Sequence, residues 1–209
     1  MAAACVRSGR APDAAVLVAI SKTWSVDRLR LFQAAGHDVL GENRVQEAAQ
    51  KIPLLEPATW HLVGHLQKNK AAKAVELVDA IESVDSVALA TRLDRLVGER
   101  GSRSGGPLSL YLQVTVAEDP ATAGFDPPTL ERERADVLAL PNLRVDGLMT
   151  IGIHTGGEDA ARPTFIRLRE LSERLRAADE RLGPGLSMGM TDDFEVAIEE
   201  GSTLVRVGR

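Results

Sequence analysis

Aromatic side chains are nearly missing from this 209-residue chain, which has two Trp, one Tyr and four Phe. Proteins that grip single-stranded nucleic acid stack its bases on such rings inside basic grooves. With few rings and a net charge of −5, the chain offers neither the platform nor the electrostatic footprint. A small molecule is the expected partner. Cysteine occurs once, at Cys5. That excludes an internal disulfide and fits a reducing compartment, so the cytoplasm is the expected location. No stretch approaches the roughly 20 apolar residues that span a bilayer, and "MAAACVRSGR" lacks a secretory apolar core. No membrane association is expected. Lysine is scarce as well: Lys22, Lys51, Lys68, Lys70 and Lys73 are the five among 25 basic residues.

What is present is a regular alternation. Apolar, β-rich runs occur at "AVLVAIS" (15–21), "DVLGE" (38–42), "TWHLVGHL" (59–66), "DAIESVD" (79–85), "LSLYLQVTV" (108–116), "LRVDGLMTIG" (143–152), "GLSMGM" (185–190) and "TLVRVG" (203–208). All but the last lead into an amphipathic helical segment. Ser25 is placed to cap the first of these and Gly36 to stop it. "GERGSRSGGP" (98–107) reads as a loop within one domain, because strand-like sequence resumes at once. The strands are continuous apolar runs, as expected when helices cover a parallel sheet. Eight such units predict a single-domain (β/α)8 TIM barrel over residues 1–209. The rival, a doubly wound open sheet, needs a glycine-rich turn after its first strand, and "SKTWS" is not one.

In such a barrel, chemistry gathers where strands end. Lys22 lies there after the first strand, Glu42 and Asn43 after the second, and His65 and Gln67 after the third. Ser83 to Asp85, Met149 and Thr150, Ser187 to Met190, and Arg206 to Gly208 follow the fourth, sixth, seventh and eighth. Lys22 has two readings. A rim lysine can lay its stem on apolar surface and keep its ammonium in water. A desolvated lysine gives up its proton and attacks carbonyls as a Schiff-base nucleophile. "LSMGMTDD" (186–193) and "VRVGR" (205–209) also have two. Their glycines and hydroxyls could present donors to an anion ahead of a helix starting near Asp192, or could serve turns and a helix cap. His61 and His65 stand four apart in a strand containing Gly64, with no third ligand at a recognisable spacing, so core or hydrogen-bonded histidines are expected and no metal. The charge-rich stretches "ERERAD" and "RLRELSERLRAADERL" are expected to be solvated helix faces.

"LVAISKT" (17–23), "GENRVQE" (41–47), "WHLVGHLQKNK" (60–70), "ESVDS" (82–86), "GLMTI" (147–151) and "LSMGMTDDFEVAIEEGSTLVRVG" (186–208) occur in this order along the chain. Together they resemble the YggS/PROSC family of pyridoxal 5'-phosphate (PLP) homeostasis proteins. The resemblance implies a barrel like the N-terminal domain of alanine racemase. It implies PLP held on Lys22 as an internal aldimine, with Ser187, Gly189, Thr191, Gly208 and position 209 around the phosphate. It places Arg206 at the pyridine nitrogen, and Asn43 and Met149 near the ring. The chain departs from the family pattern at Trp24, where a second lysine often follows the "SKT" motif. It departs again at Thr115 and Thr122, where an Asn-containing strand and a lysine are usual. "TIGIHTGG" (150–157) lacks the proline common near Gly152. The chain also starts late and stops early against the family, so a barrel truncated at both ends is expected.

A PLP-binding protein without catalytic turnover is the expected function, with apo PLP enzymes as recipients. The alternatives are a PLP-dependent amino-acid racemase and a cofactor-free Schiff-base lyase. PLP serves as an electron sink when its ring nitrogen is kept protonated, usually by a carboxylate. Arg206 opposes that protonation by like-charge repulsion. Racemases of this fold add a tyrosine base from a second domain, and the one tyrosine here, Tyr111, sits mid-strand. No catalytic residue is therefore assigned.

Overall fold

Inner and outer strand positions carry different residues, and that difference closes the sheet. In the computed structural model, which describes residues 1–116, 123–152 and 157–208 (157–159 by backbone only), eight strands form one closed parallel barrel in sequence order. They are β1 (Val16–Ile20), β2 (Val39–Glu42), β3 (Thr59–Leu62), β4 (Ala80–Val84), β5 (Leu108–Gln113), β6 (Leu143–Met149), β7 (Gly185–Ser187) and β8 (Leu204–Val207). The barrel shuts where β8 pairs with β1, from Val16 opposite Leu204 to Ala19 opposite Val207.

The helices are α1 (Ala2–Arg7), α2 (Val26–Ala34), α3 (Val45–Lys51), α4 (Ala71–Leu77), α5 (Val87–Arg100), α6 (Pro127–Leu138), α7 (Gly157–Ala178) and α8 (Phe194–Glu199). Leu40, Trp60, Leu62, Ile81, Leu110, Leu148 and Leu186 on the strands pack with Leu29, Val75, Leu93 and Phe165 on the helices in one large apolar cluster. The alternate strand positions Val18, Ile20, Tyr111, Met149 and Leu204 form a separate cluster inside the barrel. Period-two alternation of strand side chains produces these two layers.

The local signals act as the sequence predicts at α2. The Ser25 hydroxyl accepts from the Arg28 amide at 3.4 Å, and Gly36 takes φ +89° just past the helix end, where glycine has no Cβ penalty. The segment 101–107 joins α5 to β5, so the glycine-rich stretch is an internal loop. No described helix is long and apolar enough to cross a membrane.

Three features differ from expectation. First, α1 buries Ala4 and Cys5 against Ala15, Ile198 and Val205, and Arg7 pairs with Glu195 at 2.6 Å and Glu199 at 2.9 Å. A six-residue helix has too little periodicity to read from sequence. Second, β3, β5, β6 and β7 end three or four residues before their apolar runs do; the excess residues form the loops of the site. Third, the helix expected from Asp192 begins at Phe194, because the Asp193 carboxylate accepts from the Met190 amide at 2.5 Å and holds a turn there. Thr122, His154 and position 209 lie outside the described residues.

Candidate functional site

Val18 and Ile20 face the barrel interior, so the next inward position along the chain is Lys22. It emerges half-buried at the C-terminal mouth. A cavity of about 120 Å³ opens there, and its walls bring together Lys22, Asn43, Met149, Arg206 and Gly208. These are five of the eight residues expected from sequence. Met190, already placed at the end of the seventh strand, and Ile151, which the sequence reading did not single out, join them. A wider polar cleft of about 630 Å³ lies between the loops after β2 and β3 and meets the cavity at Asn43.

The loops after β7 and β8 are locked to each other. Thr191 Oγ1 accepts from the Gly208 amide at 3.3 Å and lies 3.4 Å from the Gly208 carbonyl. The Gly189 carbonyl accepts from the Arg206 amide at 2.9 Å. Gly189 has φ +94°, and a Cβ there would stand 2.5 Å from the Ala197 Cβ. A Cβ on Gly208 would stand 2.6 Å from the Ile20 carbonyl oxygen. Both positions therefore require glycine for close backbone approach. Gly208→Ala is expected to push β8 away from β1 and to cost roughly 1–3 kcal/mol, the usual range for overpacking, read as a lower denaturation midpoint.

Ser187 lies deeper than the sequence reading placed it. It is fully buried, and its hydroxyl donates to Glu82 Oε2 at 2.5 Å and accepts from Arg206 Nη1. Alternation explains the position: Leu186 faces the helices, so Ser187 turns inward below the mouth. Thr191, not Ser187, is the hydroxyl tied to Gly208 at the rim.

The barrel interior beneath the mouth is polar. Glu82 is fully buried and takes His61 Nδ1 at 2.6 Å on one oxygen and Ser187 on the other. Arg206 Nη1 stands 3.8 Å from the same carboxylate, and Nη2 donates to the Thr150 carbonyl at 2.7 Å. Burial pushes the Glu82 carboxyl up, but the His61 hydrogen bond and charge, with Arg206 and Ser187, hold it below the ordinary carboxylate range. Burial draws the Arg206 guanidinium down, against the pull of Glu82 and Asp193. Tyr111 is buried in the interior cluster. Burial, then the charges of Glu82 and Asp146, raise its phenol well above the ordinary range.

Behind Lys22 is a second set that sequence reasoning did not assemble. Lys51 Nζ donates to the Ser21 carbonyl at 2.6 Å and to Glu42 Oε1 at 2.5 Å. The Ser21 hydroxyl donates to that same Glu42 oxygen at 2.7 Å. Glu42 is fully buried. The legible signal was a glutamate closing an otherwise apolar strand and a lysine in the helix that packs on it.

Known proteins are similar to this chain in sequence and fold. The model of the alanine racemase N-terminal domain matches residues 7–209. The pyridoxal phosphate homeostasis protein of Aquifex aeolicus is 38% identical over 207 residues, covering 98% of this chain and 89% of that protein. Its counterpart in Pseudomonas aeruginosa is 40% identical over 204 residues, covering 96% and 85%. The structure of PipY of Synechococcus elongatus PCC7942 with PLP bound superimposes with a TM-score of 0.87 at 40% identity, covering 99% of this chain and 96% of that one. Alanine racemase of Clostridium difficile superimposes with a TM-score of 0.75 at 11% identity, over 94% of this chain and 51% of that one. That likeness is one of fold alone.

Proposed function

The chain belongs to the family of pyridoxal phosphate homeostasis proteins, built on the alanine racemase N-terminal domain, and on that premise we propose that it carries PLP on Lys22 without catalytic turnover. The whole of residues 1–209 acts as one PLP-binding barrel domain in this reading. The observation that carries it is the meeting of Lys22 with Arg206 and Gly208 at one mouth.

The residues fit the cofactor. The loops after β7 and β8, tied together at Gly189 and Gly208, form a backbone rim at the mouth, which suits a phosphate held by N–H groups. Thr191 adds a hydroxyl to it. Asn43 and Met149 line the cavity wall where the ring would lie. PLP supplies an aldehyde and an electron-drawing ring when bound. Lys22 would hold it through its amine, which could condense with that aldehyde with loss of one water and no redox change. Arg206 lines the same cavity, and a ring nitrogen placed against it would be kept from protonation by like-charge repulsion. Ser187, Glu82 and the Thr150 carbonyl fix the guanidinium there.

The same features argue for a carrier over a racemase. Arg206 weakens the ring as an electron sink. Tyr111 is a neutral phenol in the barrel interior and cannot serve as a base at the mouth. Apo PLP enzymes are the recipients in this reading, and a reducing cytoplasm suits the buried thiol of Cys5. The test incubates the PLP-loaded protein with each common amino acid and follows racemisation, transamination and decarboxylation. Turnover far below about 1 per second, the low end for ordinary enzymes, is expected. Turnover at or above that rate would establish the racemase-like reading instead.

A further inference from the structure

Thr23, directly after Lys22, has φ +65° and is the one non-glycine residue with positive φ among the described residues. For a β-branched residue the left-handed region is costly. Such conformations persist where surrounding structure enforces them, and they gather at functional sites.

The enforcing structure is visible. The turn from Ser21 to Trp24 closes with the Trp24 amide donating to the Ser21 carbonyl at 3.1 Å. That carbonyl also takes Lys51 Nζ at 2.6 Å. The Ser21 amide donates to the Gly41 carbonyl at 2.8 Å, and the Ser21 hydroxyl oxygen lies 3.0 Å from that carbonyl. The Thr23 amide donates to Glu47 Oε2 at 3.4 Å, and Glu47 lies 3.5 Å from the same ammonium. The Lys51 side chain is 12% exposed and the Glu42 side chain 0%, so this ion pair is withdrawn from water, where breaking either half is expensive.

We propose that Glu42, Glu47 and Lys51 form a clamp that positions Lys22, holding the Ser21–Trp24 turn in its left-handed form so that the Lys22 amine is delivered to the mouth. This gives the two glutamates of "GENRVQE" a task that the cofactor-binding set leaves unexplained. The three are positioning residues: they act on Lys22 through its backbone. The inference rests on the proposed role of Lys22 as the PLP attachment point.

Alternation shows why a clamp is required. Ser21 points outward to Glu42 and Lys22 points inward. A turn that relaxed at Thr23 would rotate this segment and swing the lysine off the inner face. The clamp therefore governs the covalent step, in which the amine adds and water leaves. It does not touch the phosphate cradle at Thr191 and Gly208.

The test separates these two quantities. The double variant Glu42→Gln/Lys51→Met removes both buried charges together, and Glu47→Ala removes the half-exposed end of the clamp. Non-covalent affinity is measured with pyridoxine 5'-phosphate, which has an alcohol in place of the aldehyde. Covalent capture is measured as the yellow absorbance formed with PLP. Capture is expected to weaken about tenfold in the double variant, the scale set by one strained residue, and the affinity for pyridoxine 5'-phosphate to change less than about twofold. Adding Thr23→Gly, which takes positive φ without a Cβ penalty, is expected to restore most of the capture. If capture is unchanged, or if it falls together with the alcohol's affinity and Thr23→Gly does not restore it, the clamp is only structural. Should the double variant not fold, the same comparison in Glu47→Ala, with and without Thr23→Gly, decides on the same criteria. Loss of pyridoxine 5'-phosphate binding in unsubstituted protein would instead contradict the PLP reading itself.

Discussion

Replacing Glu82 by alanine is expected to lower stability by about 3–5 kcal/mol, the range for breaking a buried ion pair by removing one partner. Small globular proteins have about 5–15 kcal/mol in total, so this one change consumes a large share. The cause is the stranded partner. Arg206 is buried, and Glu82 is its carboxylate at 3.8 Å; His61 and Ser187 lose their shared acceptor as well. The double variant Glu82→Ala/Arg206→Met removes both members of the pair and is expected to lose less than the single one. Denaturant midpoints of the three proteins check this, and a single-variant loss below about 1 kcal/mol, the scale of an ordinary surface change, would refute it. The same carboxyl sets an acid limit. Its folded value is depressed, so its stabilisation is complete above the unfolded value of about 4.3. It is lost as pH falls from there through the lower folded value. The midpoint of the unsubstituted protein is expected to fall over that window more steeply than that of Glu82→Gln.

Lys22→Ala is expected to abolish the yellow PLP absorbance while leaving the barrel intact. Lys22 is half-buried at the mouth. The melting temperature of the cofactor-free protein is expected to move little, as for other surface substitutions within about 0.5 kcal/mol. PLP raises stability by mass action according to its affinity, so the upward shift on adding PLP is expected to shrink sharply in the variant. A Lys22→Ala protein that stays yellow and is equally stabilised by PLP would show that another group holds the cofactor.

The barrel was legible because its strands are continuous apolar runs at regular spacing and every crossover carries a helix period. The mouth was legible for the same reason. Once strand ends are located, Lys22, Asn43, Met149, Arg206 and Gly208 fall on one rim. What was hidden depends on side-chain direction, which a one-residue shift reverses. Ser187 and Thr191 both stand two residues from Gly189, but the buried one ends β7 while the one at the rim lies in the loop beyond it. Glu82 and Tyr111 looked like interruptions in apolar strands, although alternation turns both into the barrel. The Glu42–Lys51 clamp joins residues nine apart on two elements, at a distance set by how α3 packs on β2. No sequence spacing encodes that. The α1 helix was missed because six residues carry too little pattern, while its burial depends on α8 at the other end of the chain.

Borohydride reduction of the PLP-loaded protein followed by peptide mapping tests the central claim most directly. Reduction fixes the cofactor to whichever amine holds it, and the chain offers five lysines besides its terminus. The account predicts one phosphopyridoxyl group per chain, on the peptide containing Lys22. A group on Lys51, Lys68, Lys70, Lys73 or the terminal amine, or no fixed group at all, would contradict it.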